Sequence, residues 1–226
     1  MPGDETKGDE AADAAAAAAA AQPRAATSSG CYESYVLFVG DKQSGKSTLI
    51  SHFLNPNKDE RPKPTVALEY TYGRRSGAGS AKDIAHIWEL GGGKRLQKLL
   101  PVPVTPERIA STVVAITVDM SKPGQAIESL ERWIPLVRAR VTECLDIRRR
   151  THPEEVQEIV DRARTRIGVK HADVAARLVD VCEVPLLIIA TKYVEVGSGA
   201  GRAGWGVGRG GVPVSLRACV CVCVCV

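Results

Sequence analysis

The sequence predicts a three-layer α/β sandwich: a mainly parallel sheet with helices on both faces, folded around one phosphate-binding loop. Three observations predict it. Gly40-Asp41-Lys42-Gln43-Ser44-Gly45-Lys46-Ser47 matches the pattern G-x-x-x-x-G-K-[ST] without a mismatch. The loop lies between an apolar run, Tyr35 to Val39, and a helical run, Ser47 to Leu54, which is the strand-to-helix context such a loop needs. Downstream, a nearly continuous β-branched run, Ser111 to Val118, and an apolar run, Pro185 to Ala190, alternate with segments of helical periodicity. Strands without polar alternation are buried on both faces of a parallel sheet, and the crossovers between them place helices on both sides. Together these make a P-loop NTPase fold the expectation.

A chain of 226 residues with 44% hydrophobic content supports one substantial core. That core is expected within residues 31–195. Residues 1–30 carry Asp4, Glu5, Asp9, Glu10 and Asp13 against Lys7 and Arg24, plus an unbroken alanine run from Ala14 to Ala21. This acidic, Ala-rich arm lacks large apolar groups and reads as a disordered tail. It opens with acids instead of bases, and its alanine run is far shorter than the ~20 apolar residues of a membrane span, so neither a leader nor a membrane partner is expected. The cytoplasm is the default location. The net charge of +4 is small, and the clusters Arg148-Arg149-Arg150 and Arg162/Arg164/Arg166 have no interleaved aromatics. Solvated helix faces account for them, and no nucleic-acid partner is expected. Cys31, Cys144 and Cys182 stand singly, as in a reduced compartment.

In chain order, the first strand (35–39) leads through the loop into a helix with Leu49, Ile50, Phe53 and Leu54 on one side, ended by Asn55-Pro56. The charged, Pro-stiffened stretch 59–65 is a loop. A hairpin follows: Val66 to Tyr72 alternates with period two, 73–81 is a Gly/Ser/Arg turn region, and Ile84 to Trp88 is the returning strand, with His86 an ordinary strand residue. Lys94 to Leu100 reads as a helical turn cut by Pro101, Pro103 and Pro106. From Ala126 the apolar positions Ile127, Leu130, Ile134, Val137, Val141 and Cys144 step by three and four, a seam for the sheet or for a partner, with a kink expected at Pro135. Thr151-His152-Pro153-Glu154 reads as a capping box that starts a second helix through Val156, Ile159, Val160, Ala163 and Ile167, ended by Gly168. His152 and His171 read as surface residues.

The loop's chemistry follows from its geometry. Two glycines let the backbone wrap an anion, successive N–H groups of residues 41–48 point inward, and the helix start adds its positive dipole end. Lys46 would reach the β- and γ-phosphates and Ser47 would ligate Mg²⁺. Trp88-Glu89-Leu90-Gly91-Gly92-Gly93 follows a strand directly, at the place where P-loop proteins carry the acid that holds Mg²⁺, and Glu89 is the carboxylate there. The expected ligand is GTP/GDP or ATP/ADP with Mg²⁺, bound as a fold-stabilising group or absent. Base selectivity is not expected: after the strand 185–190, a GTP-binding fold places N-K-x-D, and the position of its Asp holds Val194.

Beyond Val196 the composition collapses to Gly, Val, Ser and Arg and closes on alternating Cys219 to Val226. TGT and GTG codons alternate in a TG repeat, so residues 196–226 are expected to be a disordered tail of translated non-coding sequence, in a truncated or mis-spliced chain. A C-x-C metal or redox tail is the alternative.

GDKQSGKSTLI, PKPTVALEYTYGRRS and KDIAHIWELGGG together resemble the light intermediate chains of cytoplasmic dynein, the dynein-2 group in particular. The resemblance covers about residues 34–193. It implies a Ras-like domain, incomplete at its C-terminus, that serves as a non-catalytic subunit of the dynein 2 motor. Such a subunit would bind the dynein 2 heavy chain alongside the other dynein 2 subunits and reach microtubules indirectly. It would support retrograde intraflagellar transport and cilium assembly, from the cytoplasm and basal body to the cilium. It also implies that Gly40 to Thr48 form the nucleotide loop, that Thr65 occupies the place of a GTPase switch threonine beside the metal, and that Glu89 and Gly92 belong to the second switch. Gly93 stands where Ras-type enzymes carry the glutamine that orients water, so hydrolysis is not supported. A working GTP-binding switch is the competing reading.

Overall fold

The computed structural model describes residues 32–57, 62–76, 82–167, 181–192 and 219–224. The tail 1–30, the turn 77–81, His171 and Val194 lie outside them. Strand β1 (Glu33–Gly40) leads into helix α1 (Lys46–Leu54). The hairpin follows as β2 (Leu68–Ser76) and β3 (Lys82–Leu90). After a 3-10 turn at Leu96–Leu99 come β4 (Thr112–Asp119), α2 (Pro123–Thr151), α3 (Pro153–Ile167), β5 (Leu186–Thr191) and β6 (Cys219–Val224).

The strands form one sheet in the order β2-β3-β1-β4-β5-β6. β1 is parallel to β3 on one side and to β4 on the other, and β5 is parallel to β4. β2 is antiparallel to β3, as the hairpin requires. Because the chain leaves β1 toward β3 and later returns to β4, a crevice opens at the carboxyl end of β1, where open α/β sheets bind ligands. The loop at 40–47 sits there.

Alternation along each strand sends side chains to two layers. On one face Leu37, Val39, Leu90, Val114, Ile116, Val118 and Leu186 pack with Trp133, Val137, Val141, Cys144 and Leu145 of α2 and Val156 and Ile159 of α3. On the other, Val113, Ala115, Leu187 and Ile189 pack with Phe38 and with Leu49 of α1. Burying a side chain of this size contributes about 1.5–3 kcal/mol, so the first face dominates the core. Burial pushes the Cys144 and Cys182 thiols up from their ordinary range.

Several elements differ from the sequence expectation. The helical seam turns inward: Val137, Val141 and Cys144 are buried, Leu130 and Ile134 partly so, and only Ile127 is exposed. Trp133, one residue before the expected step at Ile134, is the largest fully buried side chain. α2 continues through Pro135, since one lost hydrogen bond is small beside that packing. Phe53 leaves the α1 core side and is exposed. β2 starts at Leu68 and runs through Gly73 to Ser76, because the ladder with β3 outweighs the turn preference of Gly-Arg-Arg-Ser. The capping box does not form; the Thr151 hydroxyl donates back to Arg148 O at 3.1 Å. In the tail expected to be disordered, Cys219–Val224 forms β6 against β5. The β5 edge offers unpaired backbone groups, and an alternating Cys/Val run has high β propensity.

Candidate functional site

The phosphate loop is a sequence of conformations that few residues adopt. Gly40, Gln43 and Gly45 all have positive φ (144°, 64° and 90°). Gly40 also lies tight on β4: a Cβ there would stand 2.3 Å from the Thr117 carbonyl oxygen. The side chain at 46 then folds into the loop it follows. Lys46 Nζ donates to the carbonyls of Gly40 (3.1 Å) and Asp41 (2.9 Å) and to Ser44 Oγ (3.5 Å). Lys46 is almost wholly buried, and burial lowers its pKa, with Glu89 and Asp41 acting in the opposite direction.

Three of the sequence-predicted residues meet beside it. Ser47 Oγ donates to Glu89 Oε1 at 2.7 Å and lies 3.4 Å from Thr65 Oγ1, so residues from α1, the 62–66 loop and the end of β3 converge. Glu89 is buried, and two hydroxyls and a carboxylate are hard oxygen donors of the kind Mg²⁺ takes. The donor set and the buried cation Lys46 beside it therefore fit a Mg²⁺–phosphate ligand. Asp41, Lys42 and Gln43 form the outer turn of the loop, and Thr48 continues α1 behind Ser47.

Gly92 closes on the loop from β3. A Cβ at 92 would lie 2.0 Å from Lys42 N and 2.4 Å from Asp41 C, so only glycine allows this approach. Gly93, next along, has only Leu96 near its Cβ direction and carries no group toward the loop.

Sequence reasoning missed the braces. Buried Thr191 lies with its Oγ1 2.7 Å from Ser44 O and 3.0 Å from Val118 O, tying the end of β5 to the loop and to β4. Arg132 of α2 pairs with Asp41 at 3.0 Å. Lys192, with φ 58°, pairs with Asp119 at 2.6 Å. Burial alone would raise the Asp119 carboxyl, but the hydrogen bonds from Lys192 and Ser121 outweigh it and hold it below its usual value. Thr191-Lys192 stands where N-K begins in a GTP-binding fold, and that was the available signal; nothing in the sequence marks Arg132.

A family model for the dynein light intermediate chain (DLIC) matches residues 18–173. The chain belongs to the dynein light intermediate chain family. This light intermediate chain is 38% identical over 162 residues to human cytoplasmic dynein 2 light intermediate chain 1, covering 71% of this chain and 45% of the human one. The corresponding Danio rerio protein is 38% identical over 161 residues, 70% of this chain and 43% of its own. Cytoplasmic dynein 1 light intermediate chain 1 of Dictyostelium discoideum is 31% identical over 109 residues, 47% of this chain and 21% of its own. Identity and coverage are both greater toward the dynein 2 chains, which places this light intermediate chain with them. It spans less than half the length of these relatives.

Proposed function

We propose that this chain acts as a non-catalytic subunit of the cytoplasmic dynein 2 motor, docking on the heavy chain and supporting retrograde intraflagellar transport and cilium assembly. Membership of the light intermediate chain family is the observation that carries the reading. The site supports the non-catalytic part. Lys46, Ser47, Thr65 and Glu89 are arranged to hold the phosphates and Mg²⁺ of a nucleotide, which when bound would supply charge that cross-links α1, β3 and the 62–66 loop. The amides of residues 41–48 would receive the phosphate oxygens, with Lys46 turning from the loop carbonyls to them. No side chain at Gly93 holds a water in line, so the nucleotide serves as a structural ligand. Lys192 is engaged by Asp119 and Val194 offers no carboxylate, so the base goes unread.

The test is co-purification. The chain, extended to the length of its relatives, should be captured with the tail of a dynein 2 heavy chain, and Lys46→Ala, if folded, should be captured equally. Loss of capture on Lys46→Ala in a folded protein would favour a nucleotide switch instead. Absence of capture in both would remove the subunit reading.

A further inference from the structure

Among the described residues the sheet ends on β6 at one border and on β2 at the other, and nothing pairs with the outer side of β2, a nine-residue strand without proline or lysine. Such an edge templates a further strand unless something blocks it. Gly91 N donates to Ala67 O at 2.7 Å, so Ala67 and, by alternation, Glu69, Thr71, Gly73 and Arg75 turn their backbone groups to β3. Leu68, Tyr70, Tyr72 and Arg74 therefore present their N–H and C=O groups outward. Tyr70 and Tyr72 are half exposed, and Arg74 stacks 5.0 Å over the Tyr72 ring.

The sequence of this edge, Leu-Glu-Tyr-Thr-Tyr-Gly-Arg-Arg-Ser, is complementary to itself read in reverse. Set two copies antiparallel with Tyr72 on the two-fold axis, and Tyr72 faces Tyr72, Tyr70 faces Arg74, and Glu69 faces Arg75, the last two pairings each occurring twice. In this register the outward-pointing residues 70, 72 and 74 form the hydrogen-bonded pairs, about six bonds in all. The Glu69/Arg75 pairs fall at the non-hydrogen-bonded positions, where side chains approach most closely. Shifting the register by one residue breaks the complementarity and moves the tyrosines to the opposite face. Within one copy Glu69 stands opposite Glu89 in the ladder and makes no ion pair among the described residues, while Arg75 pairs with Asp83 across the ladder at 3.4 Å and keeps a 65% exposed side chain that a second copy can reach.

We infer that the β2 edge is a self-association surface, where a second copy of this chain adds its own β2 antiparallel and continues the sheet across a two-fold axis. The interface is isologous, as closed dimers require. One strand pair is small, so the expected dissociation constant is about 10–100 µM, in the weak range for protein interfaces.

Equilibrium sedimentation of the full 226-residue chain, in reducing agent so that the C-terminal cysteines cannot cross-link, tests it. Wild type should dimerise in that range. Glu69→Lys sets two cations against each other across the axis and Arg75→Glu sets two acids together, so each variant alone should self-associate at least about tenfold more weakly. An equimolar mixture of the two restores opposite charges across the interface and should recover a heterodimer within about threefold of wild type. Tyr72→Pro removes an outward donor and the Tyr72 ring without breaking a ladder bond to β3, and should abolish the dimer while leaving the circular dichroism melt in place. A wild type that stays monomeric at about 500 µM, well above the expected dissociation constant, would overturn the proposal and leave the edge to a strand from another protein. So would a dimer indifferent to both charge variants, or a mixture that fails to recover one.

Discussion

The two ends of the candidate site are built from different materials. At the phosphate end, the loop is held by positive-φ backbone at Gly40, Gln43 and Gly45, by buried Lys46 on two carbonyls, by the Ser47–Glu89 bond and by Thr191 behind it. At the base end, the described residues offer one partly exposed ion pair, Lys192–Asp119, bonded to Ser121. The first arrangement is backbone and burial, in which each part is fixed by several others. The second is a single side-chain pair, and in the sequence Val194 stands two residues after Lys192 where a GTP-binding fold carries Asp. The phosphate-end residues are part of how β1, β4 and β5 pack, whereas the Lys192–Asp119 pair joins only the ends of β4 and β5.

The contrast can be broken most directly at Gly40. Gly40→Ala places a methyl on the Thr117 carbonyl at a φ of 144°, and should cost about 3 kcal/mol in urea unfolding, since neither strand can retreat. A loss under about 1 kcal/mol would show that the loop is not integral to the sheet. Next in size is Lys46→Ala, which should weaken nucleotide binding by about 2 kcal/mol, roughly 30-fold, by deleting the side-chain charge on the phosphates. GTP and ATP should compete within about tenfold of one another at the same site. A strong guanine preference by calorimetry would contradict an unread base.

Thr191→Val keeps the volume and removes the brace. Leaving the Ser44 carbonyl without it should cost about 1.5 kcal/mol in stability and loosen the loop's amide exchange. The smallest effect belongs to the base end. Asp119 has a lowered folded pKa, so its stabilisation is present above the ordinary carboxylate value near ~3.9 and is lost as pH falls through the folded value. Asp119→Asn should therefore cost about 1 kcal/mol or less from pH 7 to about 5, with the difference from wild type shrinking below about 4. A pH-independent difference would assign the effect to the Ser121 bonds instead.

The phosphate end was legible in the sequence because its requirements are local. A Gly-Lys-Ser loop after an apolar strand can do little else, and Glu89 was placed by its position at the end of a strand. Thr65 came only through the family resemblance, since nothing in a Pro-stiffened loop says which turn it faces. The braces Thr191 and Arg132 were not legible: they act on residues 147 and 91 positions away, and a threonine after a strand or an arginine on a helix has many ordinary fates.

The same division runs through the fold. Strand identity and parallel pairing were determined by the sequence alone, because nearly continuous β-branched runs such as that at 112–118 have nowhere to go but the middle of a sheet. Tertiary packing decided which face of α2 turned inward, since a helical period fixes a stripe but not what covers it. It drew Trp133 into the core, carried α2 across Pro135 and sent the seam to the sheet. It also decided that β2 extends to Ser76 and ends as an open edge, a property of the neighbours a strand has and therefore of nothing written in the strand itself.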